Sequence, residues 1–215
     1  MEPLKLTVVS AGLGQPSTTR LLADRLAEAT ARDLAGDGRP VDVQVVELRE
    51  LATDIAHNLV TGFPAPALGA AIEAVTGADG VIAVSPIFTA SYSGLFKSFF
   101  DVIDPTALVG KPVLIAATGG TARHSLALEH ALRPLFSYLR TVVVPTAVYA
   151  AAEDWGSEAS GNGSGANGGT GGGLTDRVNR AAGELAALLR GRPATVDEPE
   201  TVVPFAQQLA ALRPE

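Results

Sequence analysis

The chain has 215 residues, 47% hydrophobic and 18% charged, which is enough apolar material for one large or two small globular domains. It contains no cysteine, so disulfides, a thiol nucleophile and thiolate metal ligation are excluded. A net charge of −7 without a lysine or arginine block disfavours nucleic-acid binding, and His57, His124 and His130 show none of the spacings of a zinc site. The opening MEPLKLTVVS lacks the basic and long apolar regions of an export signal, and no apolar run reaches the ~20 residues that span a bilayer. A soluble, cytoplasmic protein without membrane contact is expected.

Short runs rich in valine and isoleucine recur at 4–10, 41–48, 80–85, 112–118 and 141–150. Segments of helical period lie between them, at 17–34, about 66–77, 92–103 and 125–139. Strand followed by helix, repeated, predicts βαβ units and a parallel sheet. The runs at 80–85 and 112–117 are almost continuously apolar, as strands covered on both faces are, whereas Asp42, Gln44 and Glu47 interleave the run at 41–48 and place it at an edge. Residues 156–173 hold nine glycines in eighteen positions and read as a flexible insertion or linker. Helical pattern resumes at Thr175–Asp176 and runs to Arg190, with Val178, Ala181, Leu185, Leu188 and Leu189 on one face. A single α/β domain over 1–192 is therefore expected. A tail at 193–215 follows, with a short helix from Phe205 to Leu212 that either docks on its own domain or meets a partner.

Open α/β sheets bind ligands at the carboxyl ends of their strands, beside a topological switch point, so the loops after the first, third and fourth strands carry the interest. The first, SAGLGQPSTTR from Ser10 to Arg20, lacks both the G-x-G-x-x-G spacing of a dinucleotide turn and the G-K-[ST] of a P-loop. Two readings stand. Glycine and a hydroxyl N-cap suit any tight strand-to-helix turn, and the same hydroxyls beside free N–H groups suit a phosphate, with Ser10, Gln15, Ser17, Thr18 and Thr19 as donors. The second loop, SPIFTASYSGLFKSFFDVID, places Pro86 after a buried strand, with apolar bulk and backbone amides from Ile87 to Ser91 that suit a planar ring. Leu95, Phe99 and Val102 are expected to pack inward from the helix that follows. The third, ATGGTARHSLALEH, has Gly119 and Gly120 flanked by Thr118 and Thr121, a pattern that admits a ligand or another backbone, and His124 beyond it is either structural or ligand-facing.

These three stretches together resemble the NADPH-dependent FMN reductase family of the flavodoxin-like fold, over about residues 4–150, and most of all the actinobacterial branch paired with luciferase-like monooxygenases. The resemblance implies a flavodoxin-like, doubly wound five-stranded parallel sheet in the order 2-1-3-4-5, in three α/β/α layers. It implies FMN and NADPH as ligands, hydride transfer from NADPH to FMN with no catalytic side chain required, and delivery of reduced flavin, with a luciferase-like monooxygenase as recipient. It places the FMN phosphate on Ser10, Gln15, Ser17, Thr18 and Thr19, the ring along Pro86, Ile87, Phe88, Thr89, Ala90 and Ser91, and the ring edge at Thr118, Gly119, Gly120 and Thr121. Relatives often carry an arginine in the first loop, where the only arginine nearby in this chain is Arg20. A homodimer or homotetramer is expected, with some of Phe96, Phe100 and Phe136 meeting the partner because all three are not expected to fit one small core. The rival readings are a flavin-dependent quinone or azo reductase and a non-enzymatic electron carrier of flavodoxin type.

Overall fold

Leu4–Ser10 forms the first strand, β1, and its alternation divides the interior in two. Leu4, Leu6 and Val8 face one layer of helices, and Val9 faces the other. The computed structural model describes residues 3–36, 38–159 and 173–191. Helix α1 (Thr18–Ala35) follows, with Leu22, Ala23, Leu26 and Leu34 buried along one stripe. Next come β2 (Val41–Glu47), a 3-10 turn (Leu48–Leu51), α2 (Ala52–Thr61), α3 (Pro66–Thr76) and β3 (Gly80–Phe88). A two-residue strand, β4 (Ser91–Tyr92), folds back on β3 before α4 (Gly94–Asp101) and β5 (Pro112–Gly119). The chain continues through a 3-10 turn at Ala122–His124, a π-helical segment at Leu128–Leu132, α5 (Arg133–Tyr138), β6 (Val142–Val143), β7 (Val148–Ala151), α6 (Ala152–Ala159) and α7 (Leu174–Arg190).

The sheet runs β2-β1-β3-β5-β6, all parallel, with β7 also parallel to β5. This is the expected order 2-1-3-4-5, with the fifth strand in two pieces. Pro145 lies in the gap and has no N–H to give to β5. Its surroundings are held by side chains instead. Glu184 of α7 accepts from Thr146 N at 2.7 Å and from its hydroxyl at 2.7 Å, and Arg133 donates to the carbonyls of Val144 and Pro145, each at 3.1 Å. β2 is the edge strand, with Asp42, Val43 and Gln44 exposed.

Helices α1 and α7 cover one face of the sheet, over Ile82, Val84, Leu114 and Ala116, and α2 to α5 cover the other, over Val81, Ala83, Val113 and Ile115. Among the described residues no single helix is long and apolar enough to cross a membrane. Three expectations need correction. Leu48, read as the end of the second strand, and the 49–61 stretch, assigned no element from sequence, form a 3-10 turn followed by α2. The helix expected over 125–139 is a turn, the π segment and the short α5, with the 3-10 turn lying before it. In α4 the inward residues are Phe96, Phe99 and Phe100, with Leu95 and Val102 only partly covered.

Phe96, Phe100 and Phe136 are all buried within this one chain, at 0%, 2% and 0% exposure, which overturns the expectation that some of them meet a partner. They fit because the rings pack tilted or edge-on, with centroids 4.8 Å apart for the tilted Phe96–Phe100 pair and 5.0 Å for the edge-on Phe100–Phe136 pair. The glycine-rich stretch also begins later than its composition implied, since α6 extends through residues 156–159. Its remainder at 160–172 and the tail at 193–215, with the helix expected there, lie outside the described residues.

Candidate functional site

Strand order changes direction between β1 and β3, and the loops leaving them diverge, α1 on one face and α4 on the other. The gap at their carboxyl ends is a cleft of about 560 Å³. It is lined by Leu13, Gly14, Pro16, Ser17, Thr18, Thr19, Pro86, Ile87, Phe88, Thr118, Gly119, Gly120, Ala152 and Trp155. A groove of about 570 Å³ along Lys5, Thr7, Asp42 and Thr76 and another of about 580 Å³ between α4 and α5 match it in size. Position rather than volume distinguishes the cleft, because it alone of these three lies where α1 begins and three strands end.

Ser17 is the N-cap of α1, and its Oγ accepts from Arg20 N at 3.2 Å. Gly12 makes room for it: a Cβ there would stand 2.1 Å from Ser17 Oγ. As an acceptor in that bond, Ser17 keeps its own hydroxyl proton for a ligand. Thr19 Oγ1 and Thr118 Oγ1 share a buried hydrogen bond of 2.8 Å, joining the first loop to the end of β5, and whichever hydroxyl accepts likewise keeps a proton to give. Ser10 Oγ is buried at the end of β1 with no hydrogen-bond partner among the described residues. Thr18 is exposed on the first turn of the 18-residue helix α1, whose N-terminal N–H groups and dipole favour an anion. Orphaned and donor-ready hydroxyls around a helix start fit a phosphate monoester such as that of FMN.

Gln15 is placed differently. With its carboxamide oriented so that Oε1 faces Arg49, that oxygen accepts from Nη2 at 2.7 Å and Nη1 at 3.0 Å, and Gln15 does not line the cleft. Arg20 turns away from the loop, pairing with Asp24 at 2.7 Å and Glu47 at 2.5 Å, and the Asp24 hydrogen bond raises its pKa above the ordinary arginine value.

The second loop is a hairpin. Ile87 pairs with Tyr92 and Phe88 with Ser91, and the two-residue turn between them puts Thr89 at φ 49° and Ala90 at φ 67°. Positive φ at both central positions is the twist a tight hairpin needs, here adopted by residues that carry a Cβ, one of them β-branched. Ser85 supports it from below, its Oγ accepting from Ser93 N at 2.9 Å. The hairpin aims Pro86, Ile87 and Phe88 at the cleft, leaves Thr89 and Ala90 at the turn outside it, and gives Ser91 to the groove beside α4.

At the third loop, Gly119 answers to a side chain of the protein itself. A Cβ there would fall 2.0 Å from the hydroxyl of Tyr149, which donates to Thr121 O at 2.9 Å. Burial raises the Tyr149 pKa and keeps that donor protonated. Gly120 is exposed on the cleft wall, whereas Thr121 and His124 are exposed outside it. Gly119→Ala is expected to break the Tyr149–Thr121 bond and cost about 1–3 kcal/mol through overpacking, read as a lowered urea midpoint. Adding Tyr149→Phe, which removes the obstructing hydroxyl, should recover part of that loss.

Sequence reasoning missed Arg49, Leu13, Pro16, Ala152 and Trp155. Arg49 was findable from the strand order, since β1 pairs with β2 and Ser10 stands opposite Glu47, two residues before it. Trp155 follows β7, and the loop after the last strand also opens at the carboxyl edge. Its ring carries the Arg25 guanidinium 4.9 Å from the centroid.

A doubly wound parallel sheet with a hydroxyl-lined cradle at its switch point defines a flavodoxin-like α/β protein. An archaeal flavodoxin has the same fold, at 11% identity and a TM-score of 0.54 over 86% of this chain and 99% of that one. The chain belongs to the NADPH-dependent FMN reductase family, whose model matches residues 4–156. It is 39% identical over 153 residues to an FMN reductase (NADPH) of Pseudomonas aeruginosa, covering 71% of this chain and 80% of that one. It is equally similar, at 39% over 153 residues, to an NADH-dependent FMN reductase of Pseudomonas fluorescens, covering 71% and 79%. Among solved structures, an oxidoreductase from Corynebacterium diphtheriae aligns with a TM-score of 0.80 at 43% identity, covering 90% of this chain and all of that one. The family makes the chain an oxidoreductase with FMN and a reduced nicotinamide nucleotide as its ligands.

Proposed function

We propose that this chain reduces FMN with NADPH or NADH in the cleft at the ends of β1, β3 and β5, and hands the reduced flavin to a separate luciferase-like monooxygenase. The observation that carries release is the exposed apolar lining: Leu13 and Phe88, both lining the cleft, are 50% and 48% exposed. A cleft with so exposed a lining favours a flavin that enters and leaves.

FMN bound there supplies the chemistry of accepting a hydride. The chain's part is orientation. Ser17, Thr18 and Thr19 hold the phosphate against the start of α1, with Ser10 Oγ beneath the loop. Pro86, Ile87 and Phe88, with Thr118, Gly119 and Gly120, would hold the ring. A cytoplasmic homodimer or homotetramer goes with this reading. Leu126 and Tyr138, 63% and 75% exposed around the π segment and α5, offer apolar surface for a second copy in place of the buried phenylalanines.

The test is to strip flavin by gel filtration and follow NADPH oxidation with FMN, then with a quinone, and finally with FMN plus a flavin-dependent monooxygenase. Saturable oxidation with FMN, and product from the monooxygenase only when this protein is present, is the expected outcome. Retained flavin with faster turnover of the quinone would favour a quinone reductase. Flavin binding without NADPH oxidation would favour an electron carrier.

A further inference from the structure

The first loop has little to hold it. Leu13, Gly14, Gln15 and Pro16 are all exposed, and none belongs to the buried clusters on either side of the sheet. Yet Gly14 and Pro16 line the cleft beside Ser17, so the path of this segment decides where the Ser17, Thr18 and Thr19 donors point. Between Ser10 and Thr19 there is no lysine or arginine.

One side chain from outside the loop grips it. Arg49, on the 3-10 turn after β2, donates from Nη1 to Gly14 O at 3.2 Å, and from Nη2 and Nη1 to Gln15 Oε1 at 2.7 and 3.0 Å. Its guanidinium is itself aimed by Glu47, whose Oε2 lies 3.6 Å from Nη2 while Oε1 takes Arg20 at 2.5 Å. Glu47 ends β2 opposite Ser10, so the sheet register delivers this grip to the point where β1 becomes the loop. A planar fork that meets a backbone carbonyl and a carboxamide together suits arginine and cannot be reproduced by a lysine ammonium.

We propose that Arg49 is a positioning residue for phosphate recognition: it clamps Gly14 and Gln15 so that the hydroxyls and amides of Ser17 to Thr19 converge on the flavin phosphate. Gln15 is the anchor of the clamp, in place of the direct phosphate donor its sequence position implied. The inference rests on the assignment of this loop to the FMN phosphate.

Equilibrium titration of the flavin-free protein with FMN and with riboflavin, which lacks the phosphate, tests it. Arg49→Ala and Arg49→Lys are both expected to weaken FMN by about tenfold, or ~1.4 kcal/mol, and to leave riboflavin within about twofold. Gln15→Ala should lower FMN affinity by no more than Arg49→Ala, because the Arg49 bond to Gly14 O survives it, and the Gln15→Ala/Arg49→Ala pair should be no worse than Arg49→Ala alone. Should Arg49→Ala not fold, Arg49→Gln carries the same comparison. Wild-type FMN affinity in Arg49→Lys, an equal fall for FMN and riboflavin, or full additivity of the pair would each overturn the clamp. If the unaltered protein showed no preference for FMN over riboflavin, the phosphate assignment itself would fail and the clamp with it. A preference that persists undiminished in the Arg49 variants would sink the clamp alone.

Discussion

Ser17→Ala/Thr19→Ala is expected to bind FMN roughly two to four decades more weakly, while its weaker affinity for riboflavin hardly moves. The size follows from two charge-assisted hydrogen bonds at ~1.5–3 kcal/mol each, converted at ~1.4 kcal/mol per tenfold. Both hydroxyls also have work in the protein alone, since Ser17 caps α1 and Thr19 bonds to Thr118. Losing the cap should cost about 1 kcal/mol of stability, a fall visible in thermal melts without ligand. The two roles separate cleanly by ligand. A structural role alone moves FMN and riboflavin together, whereas phosphate donation moves FMN only. A parallel shift would return the loop to a helix cap, and the phosphate would have to be sought elsewhere in the cleft.

Phe96→Ala should destabilise the fold by about 3–5 kcal/mol, a large share of the 5–15 kcal/mol typical of a whole domain. Phe96 is fully buried, its ring 4.8 Å from Phe100 and 6.2 Å from Phe136 between centroids, so truncation leaves a cavity lined by aromatic edges. Because it faces the interior, its loss should leave self-association unchanged. Chemical denaturation would show an earlier midpoint, and sedimentation the same species as the unaltered protein. A shift toward smaller species with an unchanged midpoint would place Phe96 at a subunit interface after all.

That interior placement marks one limit of what the sequence made legible. The alternation of strand and helix, the edge position of β2 and the apolar stripe of α7 followed from periodicity, because each is a local pattern of burial, whereas the strand order followed from the family resemblance. The aromatic cluster did not, since whether three rings fit one core depends on the angles at which α4 and α5 approach, a tertiary property. Helix α2 escaped for a related reason. Only Ile55 and Asn58 are buried along it and no side chain caps its start, which leaves almost no stripe to read. The break at Pro145 was visible as a residue but its consequence was not, because the segment stays in place through Glu184 and Arg133 from other elements.

The three loops singled out from the sequence do converge on one cleft, but the residues within them that line it differ from those expected. Gly119, read as admitting a ligand or another backbone, lines the cleft and also leaves room for the side chain of Tyr149 from another strand. The expected ring loop at 86–91 is a strained hairpin, so only its first three residues line the cleft, and its turn and return strand do not. Arg49 could not be seen from the loop's own residues, because its reach depends on the register between β1 and β2.

Anaerobic mixing of the flavin-free protein with FMN and NADPH, followed by the visible absorption of the flavin, tests the central reading most directly. Bleaching at a rate proportional to protein and saturable in FMN, reduced sharply in Ser17→Ala/Thr19→Ala when FMN is limiting, is the predicted result. Bleaching no faster than in the absence of protein, under conditions where FMN is shown to bind, would contradict it.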